Sequence, residues 1–108
     1  VDDMDLPLGR LRIRSQGGSG GHNGLKSTIK HLGTESFCRL RIGIGAPASN
    51  PEERKRKTVS HVLGKFGSEE NKLVEEVINE VIQGIKLINQ FGIEKASNQI
   101  NSYIKDNF

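Results

Sequence analysis

A glycine-rich segment at residues 17–24 (GGSGGHNG) holds the residue types best suited to chemistry. Five of the chain's 13 glycines lie there, and His22 and Asn23 stand between them. Glycines at this density let the backbone approach a ligand closely. If a helix begins at this point, its free N–H groups and its dipole favour an anion. A mobile surface turn would be expected to carry Ser or Gly in place of His22 and Asn23, so we favour a functional loop.

Two nucleotide-binding motifs are excluded in this region. Residues 17–24 do not form a P-loop, because Leu25 stands where that motif has lysine. Residues 43–48 (GIGAPA) match the letters of the dinucleotide fingerprint GxGxxA. However, Pro47 and Pro51 would break the helix that this fingerprint requires. We therefore expect no nucleotide cofactor at either place.

Three carboxylates, Asp2, Asp3 and Asp5, follow Val1, which we interpret as the end of a buried strand. In α/β proteins the ends of strands are where the chemistry is found. The three could bind a metal ion, orient a histidine or cap a turn. A metal site would need further hard ligands, and no obvious ones are present nearby, so we expect no metal. Capping is the simplest role for Asp5, and Asp2 is the better candidate for orienting a histidine.

Two segments, 10–16 (RLRIRSQ) and 38–45 (CRLRIGIG), alternate apolar and charged side chains, which predicts two half-buried strands. The exposed rows would consist of Arg10, Arg12, Arg14, Arg39 and Arg41. The apolar row of the second segment begins at Cys38, for which we expect a buried, unreactive thiol. Guanidinium groups bind phosphate through paired donors, so Arg12, Arg14 and Arg41 suit phosphate contacts.

Helices are predicted between and after these strands. Apolar residues at helical spacing follow the glycine-rich segment and end at Gly33, a favourable C-cap. A long helix is predicted at 68–90 with Ser68 as N-cap, and a shorter one at 93–104. The apolar stripe of the long helix is Leu73, Val74, Val77, Ile78, Val81, Ile82, Ile85 and Ile88. The order of strands and helices indicates an α/β fold.

The remaining histidines and aromatic residues carry less chemical information. His31, late in the first helix, suits a favourable charge at a helix C-terminus, and His61 is expected to be structural. The five aromatic residues are spread along the chain and are not interleaved with arginines. A base-stacking platform for single-stranded nucleic acid is therefore not supported.

Composition limits the classes of protein that remain. The chain has 108 residues, one cysteine and no apolar run near the roughly 18 residues of a membrane span. One domain at most, without a disulfide framework, is expected. Residues 1–66 hold 12 basic against 6 acidic side chains, and residues 67–108 hold 4 against 7. This asymmetry fits a basic face for a polyanion and equally well a simply solvated surface. Because the chain opens with a strand and no methionine, we expect a fragment that lacks an N-terminal part.

The motifs resemble the bacterial-type peptidyl-tRNA hydrolase family. The resemblance rests on DDMDLPLG at 2–9, GGSGGHNGLKS at 17–27, RLRIGIG at 39–45, VLGKF at 62–66 and Asn98. It covers essentially the whole chain, in order and at compatible spacing. It implies a twisted mixed sheet flanked by helices, with residues 1–108 as the C-terminal half to three-fifths of a single domain.

The resemblance also implies an activity. Members hydrolyse the ester that joins a peptide to the 3′ end of tRNA, which recycles the tRNA. They are usually monomeric and need no metal or cofactor. We accordingly expect peptidyl-tRNA as partner, no membrane association, and a location in the cytoplasm or in an organelle stroma. A histidine near the start of the full-length enzyme acts as general base on a water molecule, which suits ester chemistry.

Individual residues match the family's functional positions. Asp2 resembles the carboxylate that hydrogen-bonds the catalytic histidine. Asn23 resembles the loop asparagine that contacts the substrate end and helps to position water, and His22 resembles its neighbour near the 3′-terminal nucleotide. Arg14 and Arg41 fall where the family has basic residues that contact the tRNA 5′-phosphate.

The sequence departs from the family pattern in two ways. The first half of the family, with its general-base histidine, has no counterpart, and His22, His31 and His61 all lie in other elements. We therefore expect the chain alone to be inactive. The loop at 49–57, with its basic run at 54–57, is longer and more basic than usual. The alternative is a non-catalytic relative that binds RNA or protein, of the type that serves RNA splicing in chloroplasts.

Overall fold

A computed structural model describes residues 1–46, 62 and 64–103 of the chain. The elements in this part are β1 (Asp2–Asp3), β2 (Leu11–Arg14), α1 (Asn23–Leu32), β3 (Arg39–Gly43), α2 (Ser68–Phe91) and α3 (Ile93–Ser102). Strands and helices are present together, which confirms the predicted α/β class.

The three strands form one mixed sheet in the order β1–β3–β2. β1 runs parallel to β3, and β2 runs antiparallel to it. The register places Arg12 opposite Arg41 and Ile13 opposite Leu40. Residues directly opposite one another point to the same face of a sheet. Arg12 and Arg41 therefore share one face, and Ile13 and Leu40 share the other. The mixed sheet predicted from the resemblance is confirmed.

The apolar face of this sheet packs against α2 and α3. The buried core consists of Leu11, Ile13, Leu73, Val77, Ala96 and Ile100. Gly84 allows the two helices to approach, because a Cβ at this position would lie 3.0 Å from Cδ1 of Ile100. The outer edge of β2 is also covered, since the Ile13 N–H donates to Oδ1 of Asn101 at 2.7 Å. The two C-terminal helices therefore hold the arginine-bearing strands in place.

The long helix packs along a narrower stripe than the sequence predicts. Ile78, Ile82 and Ile85 are between 45 and 55% exposed, whereas Leu87 packs against the core. The predicted stripe is too wide for one helix face, so its outer edge faces solvent. The N-cap prediction is also wrong by one residue, because Gly67 is the N-cap and Ser68 is the first helical residue.

Three further expectations about burial are wrong. Cys38 is exposed, because β3 begins one residue later, at Arg39. Arg39 itself is only 4% exposed and does not belong to a solvent-facing row. Val1 continues the β1 ladder, with its carbonyl accepting the Ile42 N–H at 2.8 Å, but its side chain is 44% exposed. Gly33 does end α1 in the left-handed conformation, as predicted.

Several sequence predictions lie outside the described residues. These are Pro47 and Pro51, the basic run at 54–57 and His61. The prediction that the last helix extends to 104 is wrong, because α3 ends at Ser102 and Tyr103 is its extended C-cap. Among the described helices, none is long and apolar enough to cross a membrane.

Candidate functional site

His22 joins the glycine-rich loop to the start of β1. It is the N-cap of α1, and its Nδ1 accepts the Leu25 N–H at 3.0 Å. Its Nε2 lies 2.9 Å from Oδ1 of Asp2. Because Nδ1 accepts a hydrogen bond, these contacts assign the ring proton to Nε2, which donates to the carboxylate. The two residues, predicted separately from the sequence, thus form one hydrogen-bonded pair.

The loop needs glycine to place the His22 ring. A Cβ at Gly24 would lie 2.9 Å from Cε1 of the ring, so any side chain there would displace it. Gly20 and Gly21 have φ values of 58° and 85°, which favour glycine. Between them and the helix, the His22 N–H donates to the Ser19 carbonyl at 3.0 Å. The loop therefore turns tightly into α1 with the imidazole folded over the first helical turn.

Asn23 follows His22 as the first residue of α1, and it is exposed. An amide at this position offers two N–H donors and one carbonyl acceptor to a ligand. The helix dipole adds partial positive charge at the same end. The arrangement suits a ligand that carries a carbonyl or develops negative charge on oxygen.

Arg41 connects the strands to the same loop. Its Nη1 lies 3.4 Å from Oδ2 of Asp3, and it would lie 3.7 Å from a Cβ placed on Gly20. The second oxygen of Asp3 accepts the Asp5 N–H at 2.9 Å. Asp3 therefore supplies a capping carboxylate in the turn after β1. Asp3 also orients Arg41, a role that the sequence does not reveal.

A cavity of about 410 Å³, which we call the arginine cavity, opens on the charged face of the sheet. Its lining consists of Arg10, Arg12, Arg14 and Arg41 with Asp3, Asp5, Leu6 and Pro7. Four guanidinium groups against two carboxylates leave an excess of positive charge. Arg12, Arg14 and Arg41, which the sequence suggested for phosphate contacts, thus line one cavity, with Arg12 directly opposite Arg41. Arg10 was not predicted to contact phosphate. It lies at the cavity because the turn before β2 folds back, and in this turn the Arg10 N–H donates to the Pro7 carbonyl.

The part of the chain that the structure describes holds no group of three or more His, Cys, Asp or Glu side chains arranged for a metal ion. The candidate site itself combines the His22–Asp2 pair, the exposed Asn23 and a cluster of guanidinium groups. These can bind phosphate and orient a polar ester end, provided that the substrate spans both.

Comparison with known proteins places this surface in context. A family model described as "Peptidyl-tRNA hydrolase" matches residues 1–107. The chain is 61% identical over 103 residues to a peptidyl-tRNA hydrolase of Prochlorococcus marinus strain MIT 9303, covering 95% of this chain and 50% of that protein. It is 61% identical over 101 residues to one from Synechococcus sp. strain CC9311, covering 94% and 49%.

Solved structures agree. A crystal structure of peptidyl-tRNA hydrolase in complex with N-propanol superimposes with a TM-score of 0.84 and 40% identity, covering 97% of this chain and 50% of that one. The Acinetobacter baumannii peptidyl-tRNA hydrolase gives 0.82 and 41%, covering 95% and 50%. The chain therefore spans about half the length of the relatives it matches.

Proposed function

The chain belongs to the peptidyl-tRNA hydrolase family, and from this premise we propose that it forms the substrate-binding half of an esterase. The substrate is peptidyl-tRNA, and the bond cleaved joins the peptide to the tRNA 3′ end. Residues 1–108 act as the C-terminal part of a single domain. The protein works as a monomer in the cytoplasm, without metal or cofactor.

The observation that carries this proposal is the position of Arg41. Its guanidinium group lines the arginine cavity, pairs with Asp3 and lies against Gly20 of the glycine-rich loop. Arg41 therefore supports the proposal by connecting the guanidinium groups of this cavity to the loop that carries His22 and Asn23. A tRNA carries its 5′-phosphate and its 3′ ester at the same end of the molecule, so an extended surface of this kind can contact both. We assign phosphate contacts to Arg14 and Arg41, and contacts with the ester end to Asn23 and His22.

The general base is a separate question, and we propose that it is none of the histidines described. Both ring nitrogens of His22 are engaged, with Nδ1 on a backbone N–H and Nε2 on Asp2. Taking a proton from water at Nδ1 would cost the N-cap hydrogen bond. His31 lies at the exposed end of α1 with its Nδ1 on the Ser27 carbonyl at 2.7 Å. His61 lies outside the described residues.

Asp2 is suited to orienting a second histidine. Oδ1 of Asp2 accepts the hydrogen bond from His22, whereas Oδ2 has no side-chain hydrogen bond within the described residues. Oδ2 is therefore available to a second histidine. A base supplied from outside this chain would be held by Oδ2 while His22 holds Oδ1. The chain alone would then bind substrate without cleaving it.

The proposal is tested by hydrolysis of diacetyl-lysyl-tRNA. We compare the 108-residue chain with a protein of the relatives' full length that carries it as its matching half, called the longer protein below. The longer protein should release diacetyl-lysine, and the chain alone should not. Cleavage by the chain alone would refute the external base. Binding of tRNA without cleavage by the longer protein would favour the non-catalytic RNA-binding alternative.

Within the longer protein, Asp2→Ala should slow cleavage by about tenfold or more, because the base would lose its orienting carboxylate. Glu75→Gln, an exposed change on α2, is the control for loss of one negative charge. Unchanged turnover in Asp2→Ala would remove Asp2 from the site.

A further inference from the structure

Arg39 is a buried cation for which the proposed chemistry has no direct use. It is 4% exposed, and it is not among the residues that line the arginine cavity. Burying a guanidinium group is unfavourable unless its donors are satisfied. A buried arginine on the charged face of the sheet therefore calls for a structural account.

Both terminal nitrogens of Arg39 donate to backbone carbonyls. Nη1 donates to Gly18 at 3.0 Å and Nη2 donates to Glu35 at 2.7 Å. The guanidinium carbon also lies 4.2 Å from the centre of the Phe37 ring, within cation–π range. One side chain therefore joins β3 to two loops, the glycine-rich loop and the connection from α1 to β3.

The two loops are also joined directly at the same point. The Glu35 carbonyl accepts the Gly17 N–H at 3.3 Å and the Phe37 N–H at 3.1 Å, in addition to Nη2 of Arg39. A Cβ on Gly18 would lie 3.2 Å from Oε2 of Glu35, so the loops are closely packed. The first residues of the glycine-rich loop are thus fixed to the sheet through Arg39.

The anchored end is only four residues from His22. Between Gly18 and His22 the backbone passes through Gly20 and Gly21, which adopt positive φ values. Because glycine has no Cβ, these two residues would allow the backbone many paths in a free loop. Anchoring Gly18 removes much of that freedom before the helix begins. The direction in which the loop leaves Gly18 then determines where the His22 ring and the Asn23 amide lie.

We infer that Arg39 is a positioning residue that fixes the glycine-rich loop and thereby places His22 and Asn23 for catalysis. This inference rests on the proposed function for its catalytic consequence, whereas its structural part is independent of it. Arg39 acts through the loop and touches no substrate itself. Lysine cannot replace it, because one ammonium group cannot match the fixed two-pronged geometry that reaches Gly18 and Glu35 together.

The test combines kinetics with NMR of the longer protein. In Arg39→Lys we expect kcat to fall by about tenfold with KM changed less than about threefold, because the phosphate-binding arginines remain in place. Amide signals of residues 17–23 should shift or broaden, while those of α2 and α3 stay unchanged. Lys86→Met, an exposed loss of charge on α2, should alter neither.

The outcomes separate the inference from the proposed function. Signals that move throughout α2 and α3 would mean a general structural role, and unchanged loop signals would mean no anchoring; either overturns the inference. If Arg39→Lys does not fold, Phe37→Leu decides, because it removes only the ring beneath the guanidinium group. We expect the same loop-confined shifts with a smaller fall in kcat, and unchanged loop signals would overturn the inference. If the unmodified longer protein fails to hydrolyse peptidyl-tRNA, the proposed function fails, and the loop signals still decide the anchoring.

Discussion

Nε2 of His22 donates to Oδ1 of Asp2 across 2.9 Å, which joins two residues that are 20 positions apart in sequence. The same ring caps α1 through Nδ1. A helix terminus, a glycine-rich loop and the first strand of the sheet therefore meet at one imidazole. This pair ties the start of α1, where Asn23 lies, to the sheet, and it occupies one of the two oxygens of Asp2.

The first prediction separates the two roles of His22. Asparagine is among the best N-cap residues, so His22→Asn should keep α1 stable while losing the geometry of the Asp2 contact. His22→Ala loses both, and should lower the free energy of unfolding by about 1 kcal/mol. Urea denaturation followed by circular dichroism measures the difference. Equal stability of the Asn and Ala variants would contradict the capping role.

A second prediction concerns Asn23. Its side chain is exposed, so Asn23→Ala should leave the free energy of unfolding nearly unchanged. If its amide contacts the ester end of the substrate, kcat/KM of the longer protein should fall by about tenfold or more. Asn79→Ala, an exposed amide on α2, is the matched control. Full activity of Asn23→Ala would remove this residue from the site.

Strands β2 and β3 could be predicted from the sequence, whereas β1 could not, because it consists of Asp2 and Asp3, which were expected to follow a strand. Alternation at 10–16 and 38–45 predicted β2 and β3, and the arginine cavity follows once Arg12 is paired with Arg41. That pairing depends on register, which no local pattern determines. The contact between Asp2 and His22 likewise depends on a strand pairing that no local pattern determines, because β1 pairs with β3 rather than with β2, its neighbour in sequence.

Two of the errors about burial have a common physical cause. Alternation assigns a side chain to a face of the sheet, but it does not reveal what covers that face. Arg39 lies on the charged face and is nevertheless buried, because the loops at Gly18 and Glu35 cover it. The same holds for α2, where periodicity predicted a stripe and could not show that Ile85 would remain exposed.

A third prediction addresses the arginine cavity. Arg14→Gln and Arg41→Gln should each weaken binding of tRNA by about tenfold. Each should also reduce the slope of log affinity against log salt concentration by about one, because one phosphate contact is lost. Fluorescence anisotropy with labelled tRNA at several salt concentrations measures both quantities. Lys86→Gln is the control, and an unchanged slope in both arginine variants would exclude these phosphate contacts.

If Arg14 and Arg41 contact the 5′-phosphate of the tRNA, the loss of affinity in their variants should depend on the presence of that phosphate. Removing that phosphate from the tRNA should weaken binding to the unmodified protein. It should have little further effect on a variant that has already lost the contact. Equal losses in all proteins would place the arginines on other phosphates of the acceptor stem.

The last prediction tests how closely α2 and α3 pack beneath the strands. Alanine in place of a helical glycine normally stabilises by up to about 1 kcal/mol. At Gly84, however, the new Cβ would lie 3.0 Å from Cγ1 and Cδ1 of Ile100, a residue that is 1% exposed and packed in the core. Gly84→Ala should therefore lower the free energy of unfolding by about 1–3 kcal/mol, as overpacking does. Ile100→Val removes Cδ1, so the double variant Gly84→Ala/Ile100→Val should be less destabilised than the sum of the two single changes. Additive losses in urea denaturation would show that the two residues do not meet, and the packing that supports the sheet would need another explanation.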